Sequence, residues 1–313
     1  MKNDKTLKFS LSNNVKNYDE GIVCFIDILG FNDFIKHTNI ENLTKLYDRL
    51  INVLQAIKFL NYFNISIFSD SILLTLKVKK EKNGEQEYCN ILKYLIYYVV
   101  HFRDIVVDSV KTDIRVGICY GEFIHISNND LTRNMSKYKS EVYFGPAIIH
   151  AHKLAEKNDE FESLKRFAKN EIGKDIFSLR PAAILIDFDS FKRTISNNIN
   201  FNFELNNLKL DEYTYCTDDI LLINPYIYNV FSYINDEHFT EQEVVNKIKR
   251  IIDKHHEILK KKEILQPTDL ININEKYALD ILFFNDFIDY IKSTNHIIKD
   301  IDSYFIKSKY IKL

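Results

Sequence analysis

The chain has 313 residues, 46% hydrophobic and 27% charged, with a net charge of −2. That size and balance fit one large domain, or one domain with an appendage, around an ordinary buried core. A charge so near neutral gives no basis for binding nucleic acid or a membrane surface, and no apolar run reaches the roughly 18–20 residues of a spanning helix. The opening Met1-Lys-Asn-Asp does not read as a signal peptide, and Cys24, Cys89, Cys119 and Cys216 are too scattered for a zinc knuckle or redox pair. A reduced, cytoplasmic protein is expected.

Residues 1–19 are polar and read as a flexible N-terminal arm. Residues 21–27 form a short, continuous apolar run, the pattern of a central strand. A short helix follows, with Phe31, Phe34 and Ile35 on one face. Leu43, Leu46, Tyr47, Leu50, Val53, Leu54 and Ile57 then repeat at helical spacing. "NISIFSDSILLTLKV" reads as two strands folding back near Ser69 and Ser71, "EKNGEQ" as a surface loop, and residues 88–110 as a long helix. "DIRVGICYGEFIHI" reads as a second strand pair with a tight turn near Gly121. "EVYFG" ends a strand, and Pro146 stands just inside the next helix, where its missing N–H costs nothing. "PAAILIDFDSF" and "DDILLINPY" are further strands. The order predicts an α+β fold with helices packed on one face of a mainly antiparallel sheet. From Thr240 the character changes. Thr240 with Glu243 is a capping box, Phe239 with Val244 a hydrophobic staple, and helical repeats continue through residues 275–292. Residues 240–313 are expected to form a helical appendage.

Glycine is scarce, with only 7 in the chain. No GxGxxG or GxxxxGK[ST] can be assembled from them, which excludes dinucleotide-binding and P-loop readings. In "VCFIDILGFNDF" the strand ends on Asp27, and Gly30 precedes a helix. N–H groups at a helix start favour an anion. A carboxylate beside an anion site is self-consistent only with a cation between them. A triphosphate bridged by divalent metal satisfies both, and Gly30 would let the backbone approach the phosphates. Asp70, at the polar tip of "FSDSILL", supplies a second carboxylate. Two hard divalent ions on aspartate oxygens can activate a hydroxyl and stabilise a leaving group. The plainer alternative makes Asp27 a helix N-cap and Asp70 a hairpin turn residue.

Taken together, "FIDILGF", "FSDSILL", "IRVGICYGE" and "FGPAIIHAHKLAEK" resemble, in order and spacing, the catalytic domain of class III nucleotidyl cyclases. The resemblance is greatest to the bacterial anti-phage Pycsar pyrimidine cyclases, and it covers residues 21–156, more loosely to 226. It implies a ferredoxin-like palm domain over residues 20–235. It also implies two metal ions, Mn2+ or Mg2+, held by the side chains of Asp27 and Asp70 and the carbonyl of Ile28. Backbone N–H groups of Leu29, Gly30, Phe31 and Asn32 would cradle the β- and γ-phosphates of a nucleoside triphosphate. The product would be a 3′,5′-cyclic nucleotide made for a separate effector, and the enzyme would be a homodimer with active sites at the interface.

Departures from the family's pattern bear on the base. Purine cyclases carry a lysine or glutamate four residues before the second aspartate. Here that residue is Ser66, with Asn64 on the same strand face. Their later helix carries asparagine and arginine where this chain has Ile149 and Lys153, and lysine lacks arginine's planar fork. These departures argue against a purine, and within the pyrimidines the resemblance implies UTP before CTP. A purine cyclase with divergent base recognition and a catalytically silent nucleotide-binding module are the alternatives. Arg115 reads equally as a phosphate or partner-subunit contact and as a structural ion pair. Lys209 is a weaker choice for a phosphate lysine supplied by the second subunit. His150 and His152 stand two apart and cannot share a metal, and neither can His255 and His256.

Overall fold

The computed structural model describes residues 18–56, 63–77, 84–110, 112–126, 142–173, 175–191, 214–217, 219–234, 240–264, 278–294, 298, 300–304 and 306. Most of the expected N-terminal arm, together with Lys209 and Phe239, lies outside them. The first half runs β1 (Asp19–Ile28), α1 (Phe31–His37), α2 (Ile40–Ala56), β2 (Asn64–Phe68), β3 (Ser71–Lys77), α3 (Gly84–Val110) and β4 (Ile114–Ile126). Then come β5 (Val142–Phe144), α4 (Pro146–Glu156), α5 (Glu162–Glu171), β6 (Ile184–Asp187), β7 (Thr214–Cys216) and β8 (Ile220–Ile223). The chain continues through α6 (Pro225–Ile234), α7 (Glu241–Ile264) and α8 (Ala278–Ser293).

The sheet follows the path β2-β3-β1-β4-β6-β8-β7, with β5 paired to β4 off that path. Among the described residues only the β4–β6 pair is parallel. The first four strands, in the order β2-β3-β1-β4 and all antiparallel, make the split βαβ arrangement. The fold is α+β on a mainly antiparallel sheet, as the sequence predicts.

Helices cover both faces of this sheet rather than one. Successive side chains of a strand point to opposite faces. Accordingly Ile22, Cys24 and Ile26 of β1 join a core with α2 and α3 residues such as Leu46, Leu95 and Phe102. Val23 joins a second core with Ala151, Leu164, Ile248 and Phe287 of α4, α5, α7 and α8. Asp27 has the parity of Val23 and so belongs to the α4 face.

Three other expectations change. The "DIRVGICYGEFIHI" segment is one strand of 13 residues, with no turn at Gly121. Gly121 instead lies opposite Gly21 in the ladder, where a Cβ would stand 3.3 Å from the Cβ of Ala147. At Gly117 a Cβ would lie 2.1 Å from the carbonyl oxygen of Ala151. These two glycines therefore admit α4 onto the strand. Helix α3 begins at Gly84, inside the expected loop. Of the residues expected on one face of α1, Phe31 is buried while Ile35 is 38% exposed. The capping box at α7 forms as read, with the Thr240 N–H donating to Glu243 Oε2 at 2.9 Å and the Glu243 N–H to Thr240 Oγ1 at 3.3 Å.

Candidate active site

Asp27, at the C-terminal end of β1, is 6% exposed. Arg115 stands directly opposite it on β4. Its Nη2 and Nε lie 2.5 and 3.1 Å from Asp27 Oδ2, so the guanidinium grips one oxygen and leaves Oδ1 outside the pair. Of its two readings, Arg115 here makes the ion pair. Burial pushes the Asp27 carboxyl above the usual carboxylate range and Arg115 opposes this, while the carboxylates of Glu156 and Asp70 push it up further.

The backbone after Asp27 is tied down on two sides. The Ile28 N–H donates to the Asp70 carbonyl and the Leu29 N–H to the Asp113 carbonyl, both at 2.9 Å. The first bond sets the β2–β3 turn beside the end of β1, and Asp27 pairs in register with Ser71. The second takes Leu29 out of the expected phosphate cradle, because its N–H already has a partner. Gly30, Phe31 and Asn32 remain, and among the described residues their N–H groups donate to no backbone carbonyl. Gly30 is the N-cap residue of α1, at φ 65°, and no side chain caps the helix. Asp27 is therefore not an N-cap, which removes its plainer reading. Asp70 does sit in a hairpin turn, preceded by Ser69 at φ 54°.

Across the strands, Ser66, Leu73 and Phe25 are successive partners in register, so all three face α4, as does Asn64. An open cavity of about 460 Å³ lies on this face, lined by residues that include Phe25, Phe68, Leu73, Tyr143, Ile149 and His152. Its rim is apolar, with Phe68 52%, Val142 41% and Ile149 59% exposed. Lys153 is turned to Glu160, 3.5 Å away. His150 lies 2.7 Å from Asp187 without hydrogen-bond alignment, and His152 lies 3.3 Å from Glu156, so the two histidines do serve different partners. His255 faces Asp104, and His256 lies against the rings of Phe284 and Tyr304.

Sequence reasoning missed Glu156, His152 and Tyr47. His152 sets its ring edge-on to Phe25 at 5.0 Å, and its pairing with Glu156 has the i,i+4 spacing that the sequence displayed. Tyr47 donates its hydroxyl to the Ser69 carbonyl at 2.6 Å. No sequence signal marks that bond.

The donor set fits a hard divalent cation. Asp27 and Asp70 offer carboxylate oxygens and Ile28 a carbonyl, and Asp27 Oδ1 stands outside the pair with Arg115. No group of three or more His, Cys, Asp or Glu gathers into a cage among the described residues.

No family model and no curated protein matches the chain. Among solved structures it is similar to the adenylyl cyclase CyaB from P. aeruginosa, at 14% identity and a TM-score of 0.41, over 66% of this chain and 94% of that one. It is also similar to a bacterial light-regulated adenylyl cyclase, at 13% identity and a TM-score of 0.36, over 66% and 91%. The guanylate cyclase domain of RhGC from Catenaria anguillulae, in complex with GTP, is similar at 14% identity and a TM-score of 0.34, over 66% and 95%. At such identities and scores, the functional reading rests on this chain's own residues. No described helix is long and apolar enough to cross a membrane.

Proposed function

We propose that the chain is a metal-dependent nucleotidyl cyclase that converts UTP, and CTP more slowly, to the 3′,5′-cyclic monophosphate and pyrophosphate. The observation that carries this is a buried carboxylate, Asp27, whose Oδ1 lies outside its pair with Arg115 and whose strand end is bonded to the turn that bears Asp70. Arg115 engages one oxygen of Asp27 only, which leaves Oδ1 and the part-buried Asp70 carboxylate to share a further cation.

Asp27, Asp70 and the Ile28 carbonyl would hold two ions, Mn2+ or Mg2+. Bound there, such ions supply Lewis-acid activation of the ribose 3′-hydroxyl and neutralise charge on the departing pyrophosphate. The N–H groups of Gly30, Phe31 and Asn32 would bind the β- and γ-phosphates. Arg115 keeps the Asp27 carboxylate charged and fixed in direction. In the reaction the 3′ oxygen attacks the α-phosphorus, the bond to the bridging oxygen breaks, and the hydroxyl proton leaves to water. Ser66 and Asn64 would read the base edge with neutral groups that both donate and accept. No charged selector there rewards a purine. The apolar rim supports a homodimer with sites at the interface. The cyclic nucleotide would signal to a separate effector in anti-phage defence.

The test incubates the protein with each of the four nucleoside triphosphates and Mn2+, and identifies products by mass. Cyclic UMP should dominate, and Asp27→Ala or Asp70→Ala should lower turnover by about 100-fold or more, as loss of a transition-state charge stabiliser does. Cyclic AMP or cyclic GMP as main product would overturn the pyrimidine reading. Near-normal activity in either variant would overturn the metal site.

A further inference from the structure

Two segments must keep register for Asp27 and Asp70 to serve one site: the end of β1 running into α1, and the turn between β2 and β3. Main-chain hydrogen bonding joins them through the Ile28 N–H and the Asp70 carbonyl. One side chain also touches both. Tyr47, on α2, sets its ring edge-on to Phe31 at 6.1 Å and donates its hydroxyl to the Ser69 carbonyl at 2.6 Å. Phe31 is the residue after Gly30 and is 1% exposed, so this end of the contact is anchored in the core. Ser69 is the residue before Asp70 and holds a left-handed conformation that a non-glycine residue adopts only at a cost.

A hairpin turn with a left-handed serine has neighbouring conformations that differ in the direction of the next side chain. The bond from Tyr47 favours the one in which the Asp70 carbonyl accepts from the Ile28 N–H, close enough for the Asp70 charge to act on Asp27. Resting on the reading of Asp27 and Asp70 as metal ligands, we propose that Tyr47 is a positioning residue that fixes the Asp70 carboxylate for divalent-cation binding. It touches neither the cation nor the substrate. It acts through the Ser69 carbonyl, and its hydroxyl rather than its ring carries the effect.

Tyr47→Phe separates the two, because it keeps the ring against Phe31 and removes only the donor. In the full chain without nucleotide, Mn2+ is titrated and the free ion followed by its electron paramagnetic resonance signal. Loss of one ordinary hydrogen bond corresponds to roughly a 3- to 10-fold change in an equilibrium. Tyr47→Phe should therefore bind Mn2+ about that much more weakly, with little change in melting temperature. Asp70→Ala is run alongside. If it abolishes Mn2+ binding while Tyr47→Phe binds as the parent does, Tyr47 is only a packing residue and the proposal falls alone. A lower melting temperature with unchanged Mn2+ affinity has the same meaning. If Asp70→Ala itself binds Mn2+ normally, the metal site is misassigned and both readings fall.

Discussion

Asp27 combines roles that pull in opposite directions. As the proposed ligand it would need its charge, and as a buried group it resists that charge, which is why its carboxyl sits above the ordinary range despite Arg115. Arg115 is itself partly open to solvent, with 18% of its side chain exposed, so it can lose half of the pair more cheaply than a fully buried cation could. Removing the charge and keeping the shape should therefore relieve the fold while disabling the site. Asp27→Asn is expected to leave unfolding stability unchanged or raise it by roughly 1 kcal/mol, while cyclase activity is lost. Chemical denaturation without metal measures the first and product analysis the second. A loss of several kcal/mol would mean that the Arg115 pair is a net stabiliser, and that the carboxylate is there for structure.

At the scale of elements, the site depends on α4 lying close over β4. Gly117 and Gly121 stand four apart on one face of the strand, and Ala147 and Ala151 four apart on one face of the helix. Gly117→Ala would drive a Cβ to 2.1 Å from the Ala151 carbonyl oxygen and 2.7 Å from the Leu154 Cβ, where only a helix shift relieves it. Gly121→Ala asks a few tenths of an ångström of a methyl group. Urea unfolding should show the first losing about 3 kcal/mol or more, and the second about 1 or less. Equal losses would mean that α4 is not seated in this register. The same pair of glycines shows what a sequence can and cannot reveal. The strand ending at Asp27, the hairpin at Asp70, the proline-led start of α4 and the capping box of α7 are local patterns and were legible. A glycine that makes a turn and a glycine that admits a helix look alike, because the residue that needs the space lies some thirty positions away. Tyr47, Glu156 and the partner of the Leu29 N–H were hidden for that reason: each acts on a segment remote in the chain. The second helical layer was hidden too, since strand alternation shows that two faces are apolar but not what covers them.

Across the whole molecule, a buried charge network connects the last helix to the site. Arg103 of α3 is 3% exposed and binds Asp113 through both carboxylate oxygens, at 2.8 and 2.6 Å. It also reaches Asp280 of α8 at 2.6 Å, and the Tyr226 hydroxyl donates to that same aspartate at 2.7 Å. The carbonyl of Asp113 is the one that holds the Leu29 N–H. Removing α7 and α8 would leave Arg103 and Asp113 facing a cavity where Asp280 had been. It would also uncover the second core, which Val244, Ile248, Ile252, Leu259, Leu279, Phe284, Phe287 and Ile288 help to fill. At roughly 1.5–3 kcal/mol for each fully buried apolar side chain, those eight contribute more than 10 kcal/mol before ordering costs. That is comparable with the entire 5–15 kcal/mol stability of an ordinary domain. A chain ending at residue 239 should therefore show no cooperative unfolding transition and no nucleotide binding, rather than a smaller active enzyme. Calorimetry of the truncated protein beside the full chain decides it. A sharp transition with retained UTP binding would make residues 240–313 a separable appendage and free the site from the Arg103 network.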